Sequence, residues 1–157
     1  MNDYNNANAA KQIATMFGVG HVRSAPGTAA SAVALPFAWL IAEFLGRWWL
    51  LVAAIIVLAV GAWACELYAR AKGEPDPSEC VIDELAGQWI ICAFAPVSLL
   101  GYAAAFILFR LFDILKPWPV NIAEKQVPGG LGIMADDVVA ALMGSIIVVV
   151  LAQIGLI

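Results

Sequence analysis

Long apolar runs separated by short polar stretches dominate the chain. The last run, Val138 to Ile157, carries no charged residue, and as a helix it would reach roughly 30 Å, the thickness of a bilayer core. Upstream, Val81 to Ala95 and Val97 to Phe112 form two shorter runs parted by Pro96, and Trp48 to Ala64 forms a fourth. Ala29 to Leu45 is the fifth, interrupted by Pro36 and carrying Glu43, with Gly46 and Arg47 making the turn that follows. These runs are too long and too continuous for strands of period two, so the pattern predicts helices. The expected fold is all-α, a polytopic membrane helical bundle of about five transmembrane helices in a single domain over residues 1–157. The polar segment MNDYNNANAAKQ lies within residues 1–15, which are expected to fray.

Composition supports a membrane protein. Hydrophobic residues make up 63% and charged residues 13%, and mean hydropathy is +0.89, whereas a soluble domain carries roughly 25% charged residues. Such a chain has too little polar surface to coat a soluble globule. Lys11, Arg23, Arg70, Lys72, Arg110, Lys116 and Lys125 fall on one side of the expected spans and Arg47 on the other. The positive-inside rule then places the N-terminus in the cytoplasm and the C-terminus outside. The start of the chain lacks the charge pattern and cleavage site of a secretory signal. A net charge of -4 offers no basic surface to nucleic acid. Cys65, Cys80 and Cys92 are odd in number and lack metal-site spacing, so they read as small apolar residues. His21 reads as a surface residue.

With that orientation, the carboxylates at the margins of the apolar runs share the cytoplasmic side. Asp83 and Glu84 open one run, Asp113 closes the next, and Asp136 and Asp137 open the last. Desolvated like charges repel, so acids gathered from three segments near lipid call for a divalent cation.

Four stretches carry the candidate chemistry. In RSAPGTAAS, residues 23–31, Pro26 and Gly27 shape a turn and Thr28 is positioned to cap the next helix. Free backbone donors there, with Thr28 and Arg23, could receive a phosphate; a plain helix cap is the simpler role. In VIDELAGQW, residues 81–89, the acids suit a helix N-terminus. Adjacent acids point about a hundred degrees apart on a helix, so one of the two is expected to face a given metal. In FRLFDILKPWPV, residues 109–120, Arg110, Asp113 and Lys116 stand three apart and would align on one helical face, ending at Pro117 and Pro119. An ion pair with both bases reaching for the surface is the simpler reading. Trp118, like Trp48, Trp49 and Trp89, suits an interfacial belt. In PGGLGIMADDVVAAL, residues 128–142, three glycines suggest a flexible turn before Asp136 and Asp137 start the final helix.

Taken together, PGT at 26–28, DE at 83–84, FRLFDILKPWP at 109–119 and GGLGIMADD at 129–137 closely resemble the phosphatidylglycerophosphatase A family of bacterial membrane lipid phosphatases. The resemblance covers nearly everything after residue 15. It implies hydrolysis of the terminal phosphomonoester of phosphatidylglycerophosphate, using magnesium, to phosphatidylglycerol and inorganic phosphate in phospholipid biosynthesis. The site would face the cytoplasm at the inner membrane. Magnesium prefers oxygen ligands and keeps several waters; Glu84, Asp113 and Asp137 are the expected ligands. Asp83 and Asp136 would serve a second metal, activate water or act as nucleophile. Lys116 and Arg110 would bind phosphate, with Gly27, Thr28 and Arg23 completing the pocket. The bilayer would hold the acyl chains, and the small cross-section is compatible with a homodimer.

Other classes fit less well. The DGxxAR-type signature of phosphatidyltransferases and the DxDx[TV] signature of haloacid-dehalogenase-type phosphatases are missing. One histidine is too few for phosphatases that use two. A small cation transporter would use the same acids without lipid hydrolysis, and a soluble all-helical relative is the structural alternative.

Overall fold

Small residues face inward and large apolar ones outward along much of this chain. On the helix Pro26–Phe44, the buried positions are Gly27, Ala30, Ser31, Ala34, Ala38 and Ala42, whereas Phe37 and Leu40 are each 52% exposed. Ile55, Ile107 and Ile146 also point outward. Small inward residues let helix backbones approach closely, the packing mode of helices in lipid, where the outer face needs no polar coat.

The computed structural model describes residues 2–157, apart from the side chains of 2–5, 124 and 125. Those exceptions include Lys125, one of the orienting cations. Among the described residues there are seven α-helices: α1 (Asn2–Ala14), α2 (Pro26–Phe44), α3 (Trp49–Lys72), α4 (Ile82–Phe94), α5 (Leu99–Leu115), α6 (Val120–Gln126) and α7 (Gly129–Gln153). A 3-10 turn, Val19–His21, joins α1 to α2. Three helices, α2, α3 and α7, are long and apolar enough to cross a membrane. The two remaining expected spans correspond to α4 and α5, of 13 and 17 residues; at 1.5 Å per residue they reach about 20 and 25 Å.

Several sequence expectations change. The N-terminal segment, expected to fray, contains the helix α1, which buries Ala10 and Ala14 with Ala64, Cys65, Tyr68 and Ala69 of α3. The apolar run that ended at Ala64 continues as helix through Lys72, so Arg70 and Lys72 are helical rather than in a loop. The glycines after Pro128 form the first turn of α7, which puts Asp136 and Asp137 two turns inside the helix. Gly130 can be there because its backbone lies against α3, where a methyl group would collide with the Ala62 carbonyl. Trp89 is half-buried against the core, its indole N–H donating to the Ala34 carbonyl at 3.1 Å, while Trp48, Trp49 and Trp118 are exposed. The cysteines are free and buried, as read from sequence.

Helix α4 is central, packed against α2, α3, α5 and α7. Glycine makes two of these contacts possible: Gly87 meets the Phe109 ring, and Gly144 meets Ile91. The start of α2, the end of α3, the start of α4, the end of α5 and the first turns of α7 share one end of the bundle. At the other end, Arg47 stacks on Trp48, which meets Phe94 edge-on, beside Gln153.

Candidate active site

Each acid reaches the polar end of the bundle by a different local device. Asp83 and Glu84 occupy the first turn of α4, where exposed backbone N–H groups favour negative charge. Asp113 lies in the last turn of α5, which stops at Leu115 because Lys116 adopts a left-handed conformation (φ 43°) ahead of Pro117. Asp136 and Asp137 project from α7 and are 7% and 2% exposed.

These five side chains form two overlapping groups. Carboxylate oxygens of Asp83, Glu84 and Asp137 lie within 4.8 Å of one another, as do those of Asp113, Asp136 and Asp137. Asp137 belongs to both. The expected ligand set of Glu84, Asp113 and Asp137 is therefore divided between the groups. Both members of each adjacent pair reach the cluster, contrary to the expectation that one would point away. Asp83 Oδ1 accepts from the Glu84 backbone N–H at 3.1 Å.

The cations are distributed unevenly. Arg110 Nη1 is 2.7 Å from Asp113 Oδ2, 3.8 Å from Glu84 Oε1 and 3.4 Å from Ser31 Oγ. Lys116 leaves the expected helical row and crosses to Asp136, with Nζ 2.9 Å from Oδ2. Among the described residues, the group of Asp83, Glu84 and Asp137 thus has the weaker compensation from basic side chains. Among the described residues, Glu84 Oε2 and Asp137 Oδ2 are buried oxygens without a hydrogen-bond partner. Orphaned, crowded carboxylate oxygens suit a hard divalent cation, so the donor set fits magnesium.

A cavity of about 510 Å³ opens over the cluster, lined by the five acids and Lys116. Its remaining wall comes from residues 75–78, Cys80 and the start of α7. Arg110 is not part of this lining and sits behind the carboxylates. Gly27 touches the cluster from α2, where a methyl group would collide with Glu84 Oε1. Arg23 is exposed, and neither it nor Thr28 lines the cavity. Thr28 does not cap α2 either: Ala25 holds the cap position and Pro26 starts the helix.

Sequence reading missed the Pro75–Ser78 wall, Ser31 and Glu66. The wall could have been suspected from its position directly before Asp83, in a polar stretch with two prolines. There, Lys72 Nζ lies 2.7 Å from Glu79 Oε2, and its ammonium holds that carboxyl below its ordinary value. Glu66 accepts a hydrogen bond from Gly130 N–H, 64 residues away in sequence.

The fold and site define an all-helical protein with three candidate membrane spans and an acidic centre able to hold a metal. The sequence pattern of the family Phosphatidylglycerophosphatase A matches residues 12–152, and the chain belongs to this family of phosphatases. It is 36% identical over 136 residues to phosphatidylglycerophosphatase A of Escherichia coli K12, covering 85% of this chain and 77% of that protein. Identity is 35% to phosphatidylglycerophosphatase A of Haemophilus influenzae, over 87% of this chain and 84% of the relative. A Bacteroides thetaiotaomicron protein provisionally named a phosphatidylinositol-3-phosphatase is 40% identical, over 88% of this chain and 90% of its own length. No solved structure matches the chain.

Proposed function

We propose that the protein hydrolyses the terminal phosphomonoester of phosphatidylglycerophosphate to phosphatidylglycerol and inorganic phosphate, with magnesium, at the cytoplasmic face of a bacterial inner membrane. The observation carrying this reading is the gathering of five carboxylates from three helices with Lys116 around one cavity. The substrate choice follows the names of the Escherichia coli and Haemophilus influenzae relatives. In this reading α4 and α5 join the three longer helices as spans, with local bilayer thinning accommodating their length. The cytoplasmic orientation rests on the asymmetry of lysine and arginine.

Asp83, Glu84 and Asp137 would hold the magnesium. When bound, the ion would offset the mutual repulsion of these acids and polarise phosphate oxygens. Lys116 supplies a point charge for the incoming phosphate from the cavity wall. Asp136 holds the Lys116 ammonium in place and is close enough to the cluster to accept a proton from an attacking water. Arg110 keeps Asp113 and Glu84 oriented from behind rather than gripping phosphate. Gly27 contributes clearance for Glu84, and Arg23 and Thr28 take no phosphate contact.

The test is phosphate release by the purified protein from mixed micelles of phosphatidylglycerophosphate, phosphatidylinositol 3-phosphate or phosphatidate. Preference for the first, loss after EDTA treatment and recovery with magnesium are expected. The Bacteroides relative's name supports a second reading, a phosphoinositide phosphatase; faster turnover of phosphatidylinositol 3-phosphate would establish it instead.

A further inference from the structure

The start of α7 has no cap of its own. Pro128 occupies the cap position and makes no side-chain hydrogen bond, although the first backbone N–H groups of a helix need acceptors. Glu66 of α3 supplies one: its Oε2 accepts from Gly130 N–H at 2.6 Å. Its other oxygen is held by Arg70, Oε1 lying 2.6 Å from Nη2. The approach is close because Gly129 and Gly130 carry no side chains. A Cβ at Gly129, whose φ is +70°, would collide with Glu66 Oε2, and one at Gly130 would lie 2.8 Å from the Glu66 backbone nitrogen.

This contact bears on the candidate site through a rigid connection. Asp137 lies seven residues beyond Gly130, two helical turns along the same face of α7. Gly129 and Gly132 line the cavity. A carboxylate fixed to the first turn therefore sets the axial position and rotation of the helix that delivers the shared acid. Glu66 is outside the cavity lining and would act through the helix. Its negative charge also complements the positive end of the α7 dipole.

We propose that Glu66 is a positioning residue: by capping α7 from α3 it holds Asp136 and Asp137 in register with Asp83, Glu84 and Asp113. This inference rests on the proposed metal-dependent phosphatase site. Glu66→Ala should lower kcat and weaken binding of manganese, used as a spectroscopic substitute for magnesium, each by roughly tenfold, because small misplacements of reacting groups have large effects on rate. KM for the lipid should change little. Glu66→Gln keeps an acceptor for Gly130 and should restore most of both losses. Arg70→Ala should remain within about twofold of the wild type, since the Arg70 side chain is 74% exposed and surface ion pairs contribute little.

Manganese affinity and kcat of Glu66→Ala equal to those of the wild type would overturn the proposal, as would a Glu66→Gln variant as impaired as Glu66→Ala. Failure of the underlying reading looks different: the wild type itself would bind no manganese and release no phosphate from the lipid. Circular dichroism of each variant in detergent keeps misfolding separate from misplacement.

Discussion

Lys116 Nζ lies 2.9 Å from Asp136 Oδ2 and ties the end of α5 to a buried turn of α7. The same lysine lines the cavity, so it can exchange part of its carboxylate contact for a phosphate oxygen. Lys116→Ala should raise KM by about tenfold, the scale of a lost charge-assisted hydrogen bond, and affect folding much less. Lys116→Arg should recover part of the affinity. Kinetics over a range of lipid concentrations, paired with thermal unfolding, makes the comparison; an unchanged KM would remove Lys116 from substrate binding.

Asp137 is common to both acidic groups, so removing its charge should affect the whole centre. Asp137→Asn is expected to reduce kcat by roughly a hundredfold or more and to weaken manganese binding, since even outer-shell changes at metal centres cost about 10–100-fold. Near-normal turnover with normal manganese affinity would exclude Asp137 as a ligand. Asp113→Asn also tests an acid of the centre, but Asp113 is held by Arg110, so its loss should alter manganese binding less than that of Asp137.

Gly27 owes its importance to the absence of a side chain. A Cβ at this position would strike Glu84 Oε1 and stand 3.1 Å from Arg110 Nη2. Gly27→Ala should displace the carboxylate, lowering activity by about tenfold and destabilising the fold by about 1–3 kcal/mol. Adding Glu84→Asp retracts the acid and should recover thermal stability without restoring activity. A Gly27→Ala protein with wild-type melting and turnover would show that the close approach is unimportant.

Gly87 offers a test of the packing that surrounds the acids, because a Cβ there would meet the Phe109 ring and stand 3.2 Å from the Asp137 backbone carbonyl. A Cβ there would be 2.5 Å from the Phe109 ring, and Phe109 is fully buried. Gly87→Ala is expected to destabilise the bundle by about 1–3 kcal/mol, the usual range for overpacking. Phe109→Leu in the same background should relieve part of that loss. Thermal unfolding in detergent reads both effects, and additive destabilisation in the double variant would contradict direct contact.

Orientation can be tested with single introduced thiols once Cys80, which lines the cavity, is replaced by alanine; Cys65 and Cys92 are buried away from it. A membrane-impermeant maleimide should label Arg47→Cys from the periplasmic side and Arg70→Cys after access to the cytoplasmic side. Labelling of both from one side would refute the proposed topology.

The acidic groups at the margins of the apolar runs were visible in sequence because a carboxylate beside a long apolar run stands out without knowledge of neighbours. The helical class and approximate positions of α2, α3, α4, α5 and α7 were legible for the same local reason, as was the end of α5 before Pro117. What the linear pattern could not settle were relationships between distant residues. Thr28 lost its expected capping role because Pro26 had already started the helix. Arg110 pairs with Asp113 three residues on, as the helical spacing allowed, but it also reaches Glu84 of α4, and the glycines after Pro128 became helical against α3. Glu66 gained its role from a residue 64 positions away. Hydrophobic run length and local charge act along the chain, so sequence alone determined them; shared ligands, close backbone approach and capping across helices depend on distances that exist once the helices pack, and the tertiary structure decided those.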